Sequence, residues 1–532
     1  MRDDASGVGY GLVAETRGLV AAARRALGDR PRVRGQLDEC ARRLHEPLRV
    51  ALAGQLKAGK STLLNALVGQ DIAPTDATEC TRLVTWYRHG TAPRVTAHAA
   101  DGSRAEVVVR RGRGTEGLPG AHGLTFDLSA ARWNSPTPRE VDHLAVEWPS
   151  AELARTTIID TPGISSLSRE VSARTSRLLA PGGPGPVLSP ADAVVYLLRR
   201  LDTADVDFLE SIGAGSSGSG IAPQGFSGPL GVIGVVSRAD EIGAGRIDAL
   251  HSARDVAARF ATELERTGLC QSVIPVAGLL AFAAATLRQR EYDAFEALAA
   301  IPVDELTAAL LSADRFAHPD LPLPVPAELR AHLAARFGLF GIRLAVTLIR
   351  LGVRGAQALA AELTDRSGLD ELRTVLDVQF AQRADELKAH SALTALSRIL
   401  TANPGTAADT LLPRVRTLLA DVHAFAELRL LAHLRTDEFP LPPADLAELH
   451  RLIGGAGVSP TLRLGLSAHT DLPTQREVAL AAVHTWRTRA RHPLADQSFA
   501  SACLTAARSA EGLLDILHEP PTTPFPALRR GH

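Results

Sequence analysis

The stretch Arg49-Val50-Ala51-Leu52-Ala53-Gly54-Gln55-Leu56-Lys57-Ala58-Gly59-Lys60-Ser61-Thr62-Leu63-Leu64 decides how this chain folds. A β-rich apolar run ends at Gly54, a glycine-bearing loop follows, and helix-forming residues begin near Thr62. Residues 54–61 match G-x-x-x-x-G-K-[ST], in which glycines let backbone amides converge on phosphate oxygens at a helix N-terminus. In that arrangement Lys60 reaches the β- and γ-phosphates and Ser61 is a Mg2+ ligand. Gly54, Gln55, Lys57, Ala58, Gly59 and Thr62 complete the expected cradle, so a nucleoside triphosphate is the expected ligand.

Working outward, Asp160-Thr161-Pro162-Gly163 follows the apolar residues 156–159, which places the carboxylate at the C-terminal end of a strand, where open α/β sheets bind ligands. Asp160 is expected in the Mg2+ shell and the Gly163 amide at a γ-phosphate. Ser237-Arg238-Ala239-Asp240 follows another apolar run in the place of a guanine-reading [NT]-K-x-D loop. An aspartate there accepts from both guanine N1–H and the N2 amino group, which selects GTP over ATP. Ser237 and Arg238 depart from that pattern, yet Arg238 keeps an apolar stem and a planar cation able to stack on the base. Ala277 and Gly278 are expected to lend backbone amides to guanine O6. Thr81 is the favoured switch threonine, a metal ligand that also positions the attacking water; Thr78 and Thr75 are its rivals.

Composition narrows the classes. With 45% hydrophobic and 22% charged residues over 532 positions, the chain reads as two or three globular units. A net charge of −1 supplies no global field for nucleic acid or anionic lipid. Cys40, Cys80, Cys270 and Cys503 are scattered without a CxxC pair, which fits a reducing cytoplasm better than a zinc ribbon or a disulfide framework. The N-terminus lacks a secretory pattern, and no segment reads as a spanning helix; residues 337–349 read as a buried or interfacial one.

Two amphipathic helices precede the first strand, carried by Leu12, Leu19, Val20, Ala23 and Leu27 and by Val33, Leu37, Ala41 and Leu44. Further strands are expected at 83–88, 94–97, 105–109, 143–147, 156–159, 193–198, 231–236 and 273–276, giving a mostly parallel α/β sheet with helices on both faces. Residues 181–190 and 213–228 read as loops. After Pro302 the pattern is helical: Leu411, Val415, Leu418, Val422, Phe425 and Leu428 form one stripe, Thr474-Gln475-Arg476-Glu477 reads as a capping box, and a last helix covers about 496–517.

Together, residues 54–67, Pro74 with Cys80-Thr81, Asp160-Thr161-Pro162-Gly163 and Ala191-Asp192-Ala193-Val194 resemble the bacterial dynamin-like GTPases. Arg336-Phe337-Gly338-Leu339-Phe340-Gly341, Ser367-Gly368-Leu369 and residues 380–393 resemble more specifically the actinobacterial isoniazid-inducible dynamin-like proteins. The resemblance implies a GTPase domain at 48–390 with a helical insertion at about 280–360, and a helical bundle or stalk at 391–532 that packs with helices from 1–47. It implies GTP/GDP and Mg2+ as cofactors, GTP-dependent self-dimerisation through the GTPase face, and peripheral membrane remodelling on the inner face of the plasma membrane. An anionic membrane surface and a paralogous dynamin-like chain stand as candidate partners; nucleic acid does not. The eukaryotic dynamins carry a Gln-Ser pair in the phosphate loop where this chain has Leu56 and Lys57, so Lys57 joins Lys60 and Thr81 as a catalytic candidate. A regulatory switch GTPase acting on a protein or ribosomal partner is the alternative.

Overall fold

A computed structural model describes residues 7–74, 83–99, 101–111, 124–133, 141–163, 191–216, 231–245, 249–265, 270, 272–434, 441–492 and 496–518. Its strands are β1 (Leu48–Gly54), β2 (Val84–His89), β3 (Arg94–Ala99), β4 (Arg104–Arg111), β5 (Leu124–Trp133), β6 (Val141–Trp148), β7 (Thr156–Asp160), β8 (Ala193–Leu198), β9 (Val232–Ser237) and β10 (Val273–Val276). They form a single sheet ordered β10-β9-β8-β1-β7-β2-β6-β3-β4-β5. From β10 through β7 the neighbours are parallel, β2 pairs antiparallel with β7 and parallel with β6, and the β3-β4-β5 end is antiparallel.

Every residue of β1, β8 and β9 is buried, as continuous apolar strands in the middle of a two-sided sheet must be. One face packs through Leu52, Leu63, Leu64, Val195 and Ile233, the other through Ala53, Ile159, Tyr196, Phe208 and Leu209. The C-terminal ends of β1, β7, β8 and β9 meet at one rim, and that rim carries the motifs read above.

The sequence reading missed one strand. Residues 124–133, LTFDLSAARW, alternate poorly because β5 is the outermost strand, pairs on one side only, and shifts register against β4 between Glu106 and Val108. Phe126 is its buried anchor. The expected loop at 213–228 also begins too early, since helix Thr203–Ser216 continues through Gly213; extending an existing helix adds one hydrogen bond per residue ordered. The segment 181–190 lies outside the described residues.

The first two helices are α1 (Gly7–Leu27) and α2 (Pro31–Arg43). Their apolar stripes, Leu12, Leu19, Val20, Val33 and Leu37, pack on Leu393, Leu396, Ile399 and Val415 of the helices Ala384–Ala402 and Thr406–Asp421. The first two helices thereby pack with helices that follow the sheet in the chain. The single stripe read across 411–428 is two helices, because Val422 is extended (φ −65°, ψ 115°). The turn lets His423–His433 leave the first cluster and carry Leu430 and Leu431 into a distal one with Leu449, Trp486, Cys503 and Leu513. Thr474 is not a cap either. Helix Leu472–Ala490 starts earlier, with Asp471 at its N-cap and Pro in its first turn, where a missing N–H costs nothing.

Helix Ala327–Arg350 is the one described helix whose length and composition suit a membrane span, yet 61% of its apolar window is buried. Gly338 (φ 63°, ψ 173°) breaks it in two, and each half is about 17 Å long against a bilayer core of about 30 Å. The buried reading of 337–349 therefore holds. The arginines beside Trp486 are engaged within the distal cluster: Arg487 pairs with Glu511, and Arg489 pairs with Asp445 while covering the Trp486 ring.

Candidate active site

The loop between β1 and α3 (Lys60–Val68) is shaped by close approach. A Cβ at Gly54 would fall 2.5 Å from the Leu197 carbonyl oxygen, and one at Gly163 would fall 2.6 Å from Leu56 Cα. Gly59 caps α3 in the left-handed region at φ 90°. Among the described residues only Lys57 (φ 61°) and Arg238 (φ 53°) adopt positive φ without being glycine, and both sit at this rim. Such conformations are strained for residues with a Cβ and persist where surrounding structure enforces them.

Lys60 folds back over the loop, its Nζ donating to the carbonyls of Gly54 (3.1 Å) and Gln55 (3.0 Å). Burial lowers its pKa and the nearby Asp160 raises it again, with a net lowering. Ser61 Oγ donates to Asp160 Oδ2 at 2.8 Å. Asp160 ends β7 opposite Leu52 of β1, and Thr161 pins the next turn by donating to the Leu52 carbonyl through both its amide and its hydroxyl. Burial pushes the Asp160 carboxyl up despite Lys60 and Ser61, and its Oδ1 is buried without a hydrogen-bond partner among the described residues. An acceptor of that kind, beside a serine hydroxyl and a phosphate loop, fits Mg2+, a hard cation that takes oxygen ligands and keeps waters.

Two cavities adjoin across the loop. The larger, about 310 Å³, is lined by Lys57, Lys60, Ser61, Asp160, Thr161 and Gly163, with Tyr87 and Phe126 as an apolar wall. The smaller, about 140 Å³, is lined by Ser237, Arg238, Asp240, Glu241, Gly278 and Leu279. Ala58, Gly59, Thr62 and Arg238 border both, so phosphate and base ends lie as one nucleotide would require. Asp240 is buried and its carboxyl is pushed up, chiefly by that burial. Arg238 is ion-paired with Glu241 at 2.7 Å, and Glu241 also holds Arg199. Ser237 Oγ donates to the Leu198 carbonyl, which ties the loop to β8.

One expectation fails. The Ala277 amide donates to the Ser367 carbonyl at 2.8 Å, so it is not free to meet a base; Gly278 lines the cavity. Thr81, Thr78 and Thr75 lie outside the described residues.

Gln55 points away from the cavities. Its amide donates to Asp202 (2.7 Å) and Asp205 (3.1 Å), and Tyr196 donates to Asp205 at 2.6 Å. Sequence reasoning missed these carboxylates and Glu241. The signal for the pair was D-x-x-D at a helix start: Asp202 and Asp205 cap each other reciprocally through their amides. Two further glycines support the base end from the helical segments. Gly338, where the long helix breaks, faces Asp240, and a Cβ at Gly368 would fall 2.2 Å from the Pro275 carbonyl oxygen.

A strand, phosphate loop and helix, with Ser61 against Asp160 and Asp240 at the far end, define a P-loop GTPase domain. Residues 50–181 match the model of the dynamin family. Isoniazid-induced protein IniC of Mycobacterium tuberculosis is 52% identical over 480 residues, covering 90% of this chain and 92% of that one. A bacterial dynamin-like protein of Nostoc punctiforme is 30% identical over 122 residues, 22% of this chain and 17% of its own. A solved structure described as an oligomerised bacterial dynamin pair, with a mechanism for long-range sensing and tethering of membranes, aligns over 97% of this chain and 75% of its own at 12% identity and TM-score 0.34. The chain belongs to the dynamin family, beside the isoniazid-induced dynamin-like proteins, and is a GTPase.

Proposed function

We propose that this GTPase is a nucleotide-dependent dimerising mechanoenzyme that works peripherally on membranes, in the cytoplasm at the inner face of the plasma membrane. The observation that carries the nucleotide half is the Ser61–Asp160 pair with its unpartnered Oδ1, one cavity away from Asp240. Ser61 and Asp160 would hold Mg2+, which when bound neutralises charge on the β- and γ-phosphates. Lys60 swings from the Gly54 and Gln55 carbonyls to the phosphates. The Gly163 amide lies beside the γ-phosphate, Asp240 reads guanine N1–H and N2, and Arg238 covers the base face. The Thr81 hydroxyl orients the attacking water.

Lys57, held out of the helical region at the rim, offsets charge on the transferred phosphoryl in place of the Gln-Ser pair, because phosphoryl transfer depends mainly on positioning and electrostatics. Lys57→Ala then slows hydrolysis with GTP affinity unchanged; hydrolysis at the parental rate contradicts the role.

Membrane work is supported by family membership. Dimerisation through the rim is supported by the exposed Leu56 and the Arg199–Glu241–Arg238 chain beside the nucleotide. Two measurements test it: sedimentation velocity with a non-hydrolysable GTP analogue, and co-sedimentation with anionic vesicles. Dimers with the analogue and a monomer with GDP support the reading. A monomer in both states, or dimers without vesicle binding under any nucleotide, favours a switch that acts on a protein partner.

A further inference from the structure

The α1–α2 hairpin bears a feature that the nucleotide site does not use. A groove of about 610 Å³ runs between the two helices, lined by Arg17, Arg24, Arg25, Arg34 and His45 against one carboxylate, Asp29. That volume falls within the roughly 300–1,000 Å³ of small-ligand sites. The chain as a whole has a formal charge of −1, so this accumulation of guanidinium groups is local.

Helical geometry builds the cluster. Arg17, Arg24 and Arg25 stand seven and eight residues apart, two turns along one side of α1, and the hairpin brings Arg34 of α2 opposite them. Internal carboxylates do not balance the set. Asp38 lies 2.6 Å from Arg24 and 4.0 Å from Arg34, so one acid serves two bases. Arg25 is exposed and makes no ion pair among the described residues. Arg17 reaches the Leu44 carbonyl with one nitrogen at 3.4 Å, while its Nε is closed from solvent and has no hydrogen-bond partner among the described residues. Guanidinium forks match phosphate oxygens two at a time, and a phosphate seated here would meet several donors at once.

We propose that this groove is a second anion site, for a phosphate group carried by something other than the nucleotide in the phosphate loop. The ligand is either a lipid headgroup or a small soluble phosphate; the chemistry is shared, and the probes separate them.

The test uses the full chain saturated with GDP and Mg2+, so that the phosphate loop is filled. Binding is measured to phosphatidylglycerol vesicles, to phosphatidylcholine vesicles and to inorganic pyrophosphate, for the parent, Arg17→Gln and Arg25→Glu. Arg25 is exposed and unpaired among the described residues, so its replacement leaves folding intact even if Arg17→Gln does not. The expected result is capture by phosphatidylglycerol or pyrophosphate and not by phosphatidylcholine, weakened at least tenfold in the variants at unchanged GDP affinity. Vesicle capture alone identifies a headgroup, and pyrophosphate capture alone a small anion. No binding to either probe, or equal binding by parent and variants, overturns the proposal. In the latter case vesicle capture keeps the membrane reading and removes only the groove.

Discussion

Ser61 Oγ and Asp160 Oδ2 stand 2.8 Å apart although their side chains arise from different crossovers of the sheet, one from the first turn of α3 and the other from the end of β7. The parallel pairing of β1 with β7, in register from Leu48 with Thr156 to Leu52 with Asp160, makes the meeting obligatory. The other carboxylate oxygen is buried and unpaired among the described residues. Asp160→Asn keeps the size of the side chain and removes the anion. GTP turnover should fall on the order of 10²-fold or more, with nucleotide affinity no longer sensitive to chelation of Mg2+; parental turnover by phosphate release contradicts the role.

Arg238 holds a left-handed backbone that costs roughly 1–2 kcal/mol in a residue with a Cβ. Arg238→Gly relieves that strain and adds about 0.5–1 kcal/mol of unfolded-chain entropy. The expected variant is as stable as the parent in urea, yet binds GDP more weakly because the cation over the base is gone. A variant that keeps parental affinity shows that Arg238 does not touch the base.

Gly368 lies at φ 78° against the Pro275 carbonyl, next to the Ser367 carbonyl that holds the Ala277 amide. Gly368→Ala should cost about 1–3 kcal/mol in urea unfolding and weaken guanine nucleotides together, since the segment behind the base cavity must shift. Unchanged stability would show that the contact yields freely.

Much of this was legible before any coordinates. The phosphate loop was, because G-x-x-x-x-G-K-S is a local backbone requirement, and so were the buried strands, whose apolar runs are continuous. Ala277 was misjudged because its amide is taken by Ser367, ninety residues on in the chain, and no local pattern announces such a partner. Strand β5 escaped because an edge strand needs little full burial: Phe126 is buried, while Leu128, Ala131 and Trp133 pack only partly against the core. The break at Val422 lies within an unbroken apolar periodicity: Phe425, beyond it, still packs in the same cluster as Leu411 and Val415, so the spacing gives no sign of the turn.

Glu427 is buried where the distal cluster joins the chain, with Arg463, Arg383, His423 and Ser509 around it. Burial alone would raise its pKa, but Arg463, His423 and Arg383 together hold it down at about 2. A carboxyl that titrates lower folded than unfolded contributes stability above its ordinary value of 4.5 and loses it as pH falls from there towards about 2. Emission of the buried Trp486, with the other tryptophans replaced by Phe, should report opening of the distal cluster in that window. Arg463→Met leaves Glu427 with Arg383, His423 and Ser509 only, and should cost about 1–3 kcal/mol at neutral pH. A distal cluster indifferent to acid down to pH 2 would contradict this account.

The most direct test of the nucleotide site is titration calorimetry with GTP and ATP, each with Mg2+, on the parent and on Asp240→Asn. One saturable site for GTP is predicted, at least tenfold tighter than for ATP, with the preference lost in the variant and all binding lost in Lys60→Ala. No heat with GTP, or tighter capture of ATP, would contradict the reading of Lys60 and Asp240 as the two ends of one guanine-nucleotide site.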